Sequence, residues 1–360
     1  MSPLLRVESA EDLGPQFVNN PDGMVGLDGA YSIPLRYGGA LWYFGDTLIG
    51  RRTAGESLWY PGGVQIAAYD MSGHHGIDLL RTNTGAMVPA QDASRGIRQW
   101  SHIIDGDGDI RQLVPHLESE NRDEYRVWCL HGIQVDGVIH LYYMVVHMLD
   151  SGPMPVNFEI VGCGLAQGAP SGWSFLRIPA RDGILWWPAS QPQFGSAVID
   201  GRDGFLYVYG VRRDDAGVQR ACVARVRPQS LTDHGAYEYL EHGPAKWSPR
   251  VEDAIAVMTG MPNEMSVSWN AHLGCWLAVH SLDLSGAIVG RTAPKPWGPW
   301  SEPVTLWQVT PPSRDYPVPY GSLIYAGKEH PELSPDGRTL FLTYVEFEEY
   351  FPHLVMIRLE

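Results

Sequence analysis

The chain has 360 residues, 44% apolar and 19% charged, which is enough for one large all-β domain or two ordinary domains. Its net charge is −15, from 26 basic against 41 acidic residues, and no Lys/Arg cluster interrupts that excess. Nucleic acid and anionic membrane surfaces are therefore excluded as expected partners.

The chain opens MSPLLRVESAEDLG, with no basic segment leading into an apolar one, so the reading is of a cytoplasmic protein without a signal peptide. No apolar run is long enough to span a membrane as a helix. Helical periodicity is almost absent. From residue 28 onward one unit recurs: a short run, a turn ending in Gly, and a run rich in aromatic and β-branched residues. The second runs are ALWYFG (40–45), VIHLYYM (138–144), FLYVYG (205–210), CWLAVH (275–280) and TLFLTY (339–344). They follow RYGG, QVDG, GRDG, AHLG and SPDG, which are hairpin signals. Third runs are expected at 64–70, 160–166, 221–227, 287–293 and 354–360.

The turn glycines Gly39, Gly137, Gly204, Gly274 and Gly337 lie 98, 67, 70 and 63 residues apart. Repeated antiparallel units of this size predict an all-β fold, a single five-bladed β-propeller over residues 1–360. The last unit ends on its third strand, so the N-terminal run LLRVES is expected to add the outermost strand and close the ring. The longest interval places a loop excursion at about 72–125, a candidate site-forming loop. The four cysteines sit in apolar strand-like runs with no CxxC spacing and read as buried free thiols.

In a propeller the first strand of each blade lines the central channel. The residues just upstream of the turns place Asp28, His131, Glu264, His330 and Glu332 around one axis. In the first unit, DGAYSIPLRYGGALWYFGDT, an aspartate stands at each open end. A three-residue loop would make Asp28 and Asp46 diagonal neighbours on one face, whereas a one-residue slip would separate them. Neighbouring carboxyls push one pKa up and the other down, the requirement for an acid paired with a base or nucleophile. Against this, Asp46 in FGDT could simply cap a turn. The chain is also rich in Trp (13) and Tyr (17), which pack in sheets and stack on sugar rings.

The stretches DGAYSIPLRYGGALWYFGDT, FGSAVIDGRDGFLYVYG, NEMSVSWNAHLGCWLAVHS, PWGPWSEP and HPEL, in this order over nearly the whole chain, resemble a five-bladed-propeller family first catalogued as a domain of unknown function. That family includes endo-D-arabinanases and is similar to the mycobacterial methylmannose polysaccharide hydrolases. The resemblance implies a glycoside hydrolase, with the family's acidic pair on Asp28 and Asp46 and a further acid on Glu264. The endo-D-arabinanases are typically exported. The missing export signal favours an intracellular α-1,4-linked methylmannose polysaccharide as substrate, with D-arabinan second. A non-catalytic carbohydrate-binding propeller is the rival class.

Within the hydrolase reading, a blade-one aspartate is expected to oppose Glu264 across the channel, with Glu264 as general acid beside Met261, Pro262 and Met265. The alternative keeps the chemistry within the Asp28–Asp46 pair. Tyr31, Trp59, Trp100, His102, Ser196, His330 and Glu332 are the expected sugar contacts, with Trp186 and Trp187 divided between stacking and packing. No cofactor or metal is expected. DGDGD (105–109) imitates a calcium loop, but Ile110 replaces its glycine and His116 its bidentate acid. His74 and His75 read as exposed. GxSxG, HExxH and nucleotide-binding loops are absent.

Overall fold

The computed structural model describes residues 5–66, 71, 76–152, 157–181, 183–242, 245–316, 318, 323–334 and 336–360. Among them the fold is all-β, with short 3₁₀ turns and no α-helix. Each recurring hairpin founds an antiparallel sheet. One holds Tyr125–Val135, Val138–Met148, Phe158–Gly168 and Leu176–Ile178. The next is founded on Gln193–Asp200, Leu206–Arg213 and Gln219–Val226. A third holds Ser266–Asn270, Cys275–Ser281, Ala287–Ala293 and Val304–Gln308. In the last, Ile324–Glu329, Thr339–Glu346 and Pro352–Leu359 are completed by the N-terminal strand Val7–Pro15, antiparallel to Pro352–Leu359.

The first unit differs. Its strands are broken at Asp28–Gly29, Gly45 and Asn83–Thr84 into two sheets. Met24–Leu27, Asp46–Gly50 and Ile77–Thr82 form one; Ala30–Pro34, Ala40–Phe44, Gly85–Val88 and Ser101–His102 form the other. Backbone hydrogen bonds cross the breaks, from Asp28 N to the Asp46 carbonyl and from Asn83 N to the Gly45 carbonyl, both 2.8 Å. The third strand here is thus residues 77–88 and not the expected 64–70, of which 67–70 lie outside the described residues. Within the 72–125 excursion, Ile77–Thr82, Gly85–Val88 and Ser101–His102 are strands of these two sheets. His74 and His75 also lie outside the described residues. In the DGDGD turn, Asp105 accepts from the amides of Asp107 and Asp109, an ordinary side-chain-capped turn.

The first strands of successive sheets adjoin in order: Ala30–Pro34, Tyr125–Val135, Gln193–Asp200, Ser266–Asn270 and Ile324–Glu329. The last meets the first again, where His330 Nδ1 and the Ser32 hydroxyl are 2.7 Å apart and the Tyr325 hydroxyl donates to Asp28. Apolar clusters fill the gaps between sheets. One of them, with Tyr142, Trp187, Phe194 and Tyr237, packs the sheet of Tyr125–Val135 against the sheet of Gln193–Asp200. All four cysteines are free and buried.

Candidate active site

The RYGG turn sets the geometry of the first two carboxylates. Gly38 and Gly39 take φ of 94° and 71°, and a β-carbon at Gly39 would lie 2.6 Å from the Val88 carbonyl, so both positions demand glycine. The hairpin pairs Pro34 with Ala40 and Ala30 with Phe44, and beyond the break Leu27 with Thr47. Leu35 N donates to the Gly39 carbonyl and Gly38 N to the Leu35 carbonyl, both 3.0 Å, so the loop spans residues 36–38 as expected but in a register that pairs Leu35 with Gly39. Asp28 and Asp46 therefore stand directly opposite each other, not diagonally.

Asp28 Oδ1 accepts from its neighbour's amide, Gly29 N, at 2.7 Å and from the Tyr325 hydroxyl at 2.5 Å. Its Oδ2 faces Gly45, where a β-carbon would come within 2.6 Å. Burial, then the charges of Glu264 and Asp46, push the Asp28 carboxyl up to about 7. Asp28 is half-buried, whereas Asp46 is buried, and Asp46 Oδ1 has no hydrogen-bond partner among the described residues. Burial raises its carboxyl above the usual range, with Arg126 pulling the other way. Glu264 reaches the same point from the loop before Ser266–Asn270. Its Oε1 is 2.5 Å from the Lys328 ammonium, which is 1% exposed and sits 4.4 Å over the Tyr31 ring.

The ring of polar residues expected around one axis divides into two levels. Asp28, Asp46 and Glu264 occupy one. Four residues further along the first strand, roughly 13 Å at strand rise, Ser32 donates to Glu332 at 2.9 Å and meets His330 at 2.7 Å. His131 Nδ1 accepts from Val198 N at 3.0 Å, while its Nε2 faces the Ser32 carbonyl at 3.3 Å; burial lowers it to about 4, so the ring is neutral. His330 stacks on Trp42 at 4.2 Å and bonds Thr343, a histidine packed into the wall. A cavity of about 270 Å³ opens on this level, lined by Tyr31, Ser32, His131, Ser268, Lys328 and Glu329 among others. Burial pushes Glu329 and Glu332 up to about 7. Tyr31 and Lys328 belong to both levels.

Several expected sugar contacts are placed elsewhere. Trp59 is 1% exposed; it stacks on Phe347 at 4.7 Å, and its Nε1 donates to the Phe347 carbonyl. It is a support behind Tyr350, whose ring meets it edge-on at 4.8 Å, and not an open platform. Trp186 and Trp187 are buried in the core between sheets. Trp100 packs edge-on against Phe17 and His102, and His102 bonds Asp22, all on the outer rim of the first unit. Ser196 is fully buried beside a bulge, with its hydroxyl 3.5 Å from the Gln193 carbonyl. Trp59, Trp100 and Trp186 lie outside strands as expected but pack inward, and sequence does not distinguish a packed loop aromatic from an open one. Tyr325 and Lys328 carry no comparable signal in the sequence, since neither stands just upstream of a turn.

Among the described residues no group of three or more His, Cys, Asp or Glu side chains is arranged to hold a metal ion. Asp28, pushed up to about 7, can exchange a proton near neutral pH beside the Glu264–Lys328 ion pair.

The sequence matches no curated protein. Solved structures similar in fold include a candidate hydrolase from Bacteroides ovatus (TM-score 0.61, 16% identity, covering 93% of this chain and 86% of that one). A family 117 glycoside hydrolase from Zobellia galactanivorans aligns at TM-score 0.52 and 13% identity, covering 98% and 90%. CoXyl43, a β-xylosidase/α-arabinofuranosidase from a compost metagenome, aligns at TM-score 0.50 and 13% identity, covering 99% and 95%. At this identity the likeness is one of fold. The model of a domain of unknown function, DUF4185, matches residues 23–356, and the chain belongs to that family.

Proposed function

We propose that the chain is an endo-acting glycoside hydrolase built as a five-bladed β-propeller, with Asp28, Asp46 and Glu264 as its carboxylate set. The observation that carries this reading is the Asp28–Asp46 pair. A buried carboxyl and a half-buried one, directly opposed on one hairpin and both raised above their usual range, are the kind of paired acids that acid–base chemistry uses. Hydrolysis of a glycosidic bond needs one carboxyl that delivers a proton to the leaving oxygen and one that stays charged. Asp28, protonated up to about pH 7, suits the first task. Glu264, expected from sequence as the proton donor, is ion-paired with Lys328 and suits a charged role better. We therefore assign the proton to Asp28 and the base or nucleophile to Asp46 or Glu264. Support for sugar chemistry in this fold comes from the neighbours named above, one of which was solved with xylotriose.

For substrate, an α-1,4-linked methylmannose polysaccharide is our first choice and a D-arabinan our second, both on the family resemblance. The test incubates the protein with each glycan and measures new reducing ends. Cleavage of one of them supports the hydrolase. Saturable binding of both without cleavage replaces it with a carbohydrate-binding propeller.

A further inference from the structure

The strand Ile324–Glu329 does not run straight. Tyr325 pairs with Val345, but Lys328 pairs with Thr343, so three steps on this strand oppose two on its partner. The extra residue is a β-bulge, and Ala326 within it holds φ of 60°, a conformation that side chains other than glycine rarely adopt. In an unbroken strand, residues three apart face opposite sides. Here both side chains reach the carboxylates, the Tyr325 hydroxyl on Asp28 Oδ1 and the Lys328 ammonium on Glu264 Oε1.

We propose that the Tyr325–Lys328 bulge is the positioning element of the site: it pins one oxygen each of Asp28 and Glu264 and leaves Asp28 Oδ2 as the atom that carries the exchangeable proton. Oδ1 already accepts two hydrogen bonds, from Gly29 N and Tyr325, so the proton belongs on the other oxygen. Oδ2 packs against Gly45, where only a glycine leaves it room, and the Tyr350 side chain is a further hydrogen-bond partner of the same carboxyl. A buried ammonium with no carboxylate to meet would be costly, so Lys328 and Glu264 hold each other in place. A left-handed φ at a non-glycine residue such as Ala326 persists only where the surroundings enforce it, a pattern common at working sites.

The groups facing Asp28 come from every side: Asp46 on its own hairpin, Glu264 from the loop before Ser266–Asn270, Tyr325 on the bulged strand, and Tyr350 from the turn before Pro352–Leu359. Arg126 and Cys129 on Tyr125–Val135 stand near Asp46 and the cluster. Lys328 acts on Asp28 through Glu264.

This inference rests on the assignment of the proton to Asp28, and its test needs no substrate. Full-length protein labelled with ¹³C at the aspartate carboxyl carbons is titrated by NMR, with D28N identifying the resonance. Wild type is expected to titrate near 7 at Asp28. E264Q removes a neighbouring negative charge and lowers the midpoint by about one pH unit. K328M leaves the Glu264 charge uncompensated and raises it; Y325F removes a donor to the carboxylate and also raises it. Opposite shifts in E264Q and K328M support the proposal, whereas an unmoved midpoint in E264Q overturns it. Should K328M fail to fold, E264Q and Y325F still decide. Absence of hydrolysis on any glycan, with these shifts intact, would remove the hydrolase reading and leave the positioning role standing.

Discussion

Gly29 makes room for Glu264: a β-carbon built at Gly29 would lie 2.8 Å from Glu264 Oε1 and 2.7 Å from the Ala326 Cβ. Both neighbours belong to the charge pair and its bulge, and the Ala326 contact is not the end of a flexible side chain. Gly29→Ala is expected to keep the fold, cost about 1–3 kcal/mol from overpacking, and lower turnover at least tenfold. Thermal melts and product formation on the cleaved glycan check both parts.

Removing the proton donor of a general acid–base reaction typically costs about 10²–10⁴-fold in rate. D28N and D46N are expected to fall in or beyond that range. E264Q should lose activity too, since the fixed charge beside Asp28 goes with it. An active D28N alongside an inactive E264Q would return the proton to Glu264. The anomeric configuration of the first product, read by NMR, then separates a cross-channel water mechanism from one within the Asp28–Asp46 hairpin.

With the acid at Asp28 held up to about 7, kcat/KM should decline above neutral pH as that carboxyl loses its proton. A pH–rate profile of wild type is expected to show its alkaline limb near 7. A flat profile from pH 6 to 9 would contradict the assignment.

The same carboxyl should cost stability. Its pKa is raised from 3.8, so between about pH 4 and 7 the folded state holds a proton that the unfolded chain releases, and stability falls as pH rises through that window. Glu329 and Glu332, raised from 4.5 to about 7, act in the same direction. D28N removes one such loss. Its melting temperature should exceed that of wild type by more at pH 8 than at pH 5.

At the closing strand the sign reverses. His353 on the last strand lies between Asp12 of the N-terminal strand, at 3.2 Å, and Glu349, at 2.8 Å, and it is raised from 6.5 to about 9. Its contribution is fully present below about pH 6.5 and fades as pH rises through about 9. D12N should therefore destabilise the protein at pH 6 and differ little from wild type above pH 10. Hydrogen exchange of the Val7–Pro15 amides is the local readout.

The all-β class, the repeated hairpins and their turns were legible in the sequence by itself. Alternation and glycine-terminated turns such as Asp136-Gly137, with φ of 48° and 87°, are local chemistry that needs no distant partner. The carboxylates Asp28, Asp46 and Glu264 were legible as candidates, because acids at strand starts are conspicuous in an apolar pattern. What only the tertiary structure decided was their company. The hairpin register put Asp28 opposite Asp46, and a single extra residue at Ala326 turned both Tyr325 and Lys328 toward them. The same is true of Trp59, Trp186 and Trp187, whose burial depends on sheets far away in the chain. Register, bulges and packing between sheets are set by long-range contacts, and a period-two pattern carries no record of which neighbour will arrive.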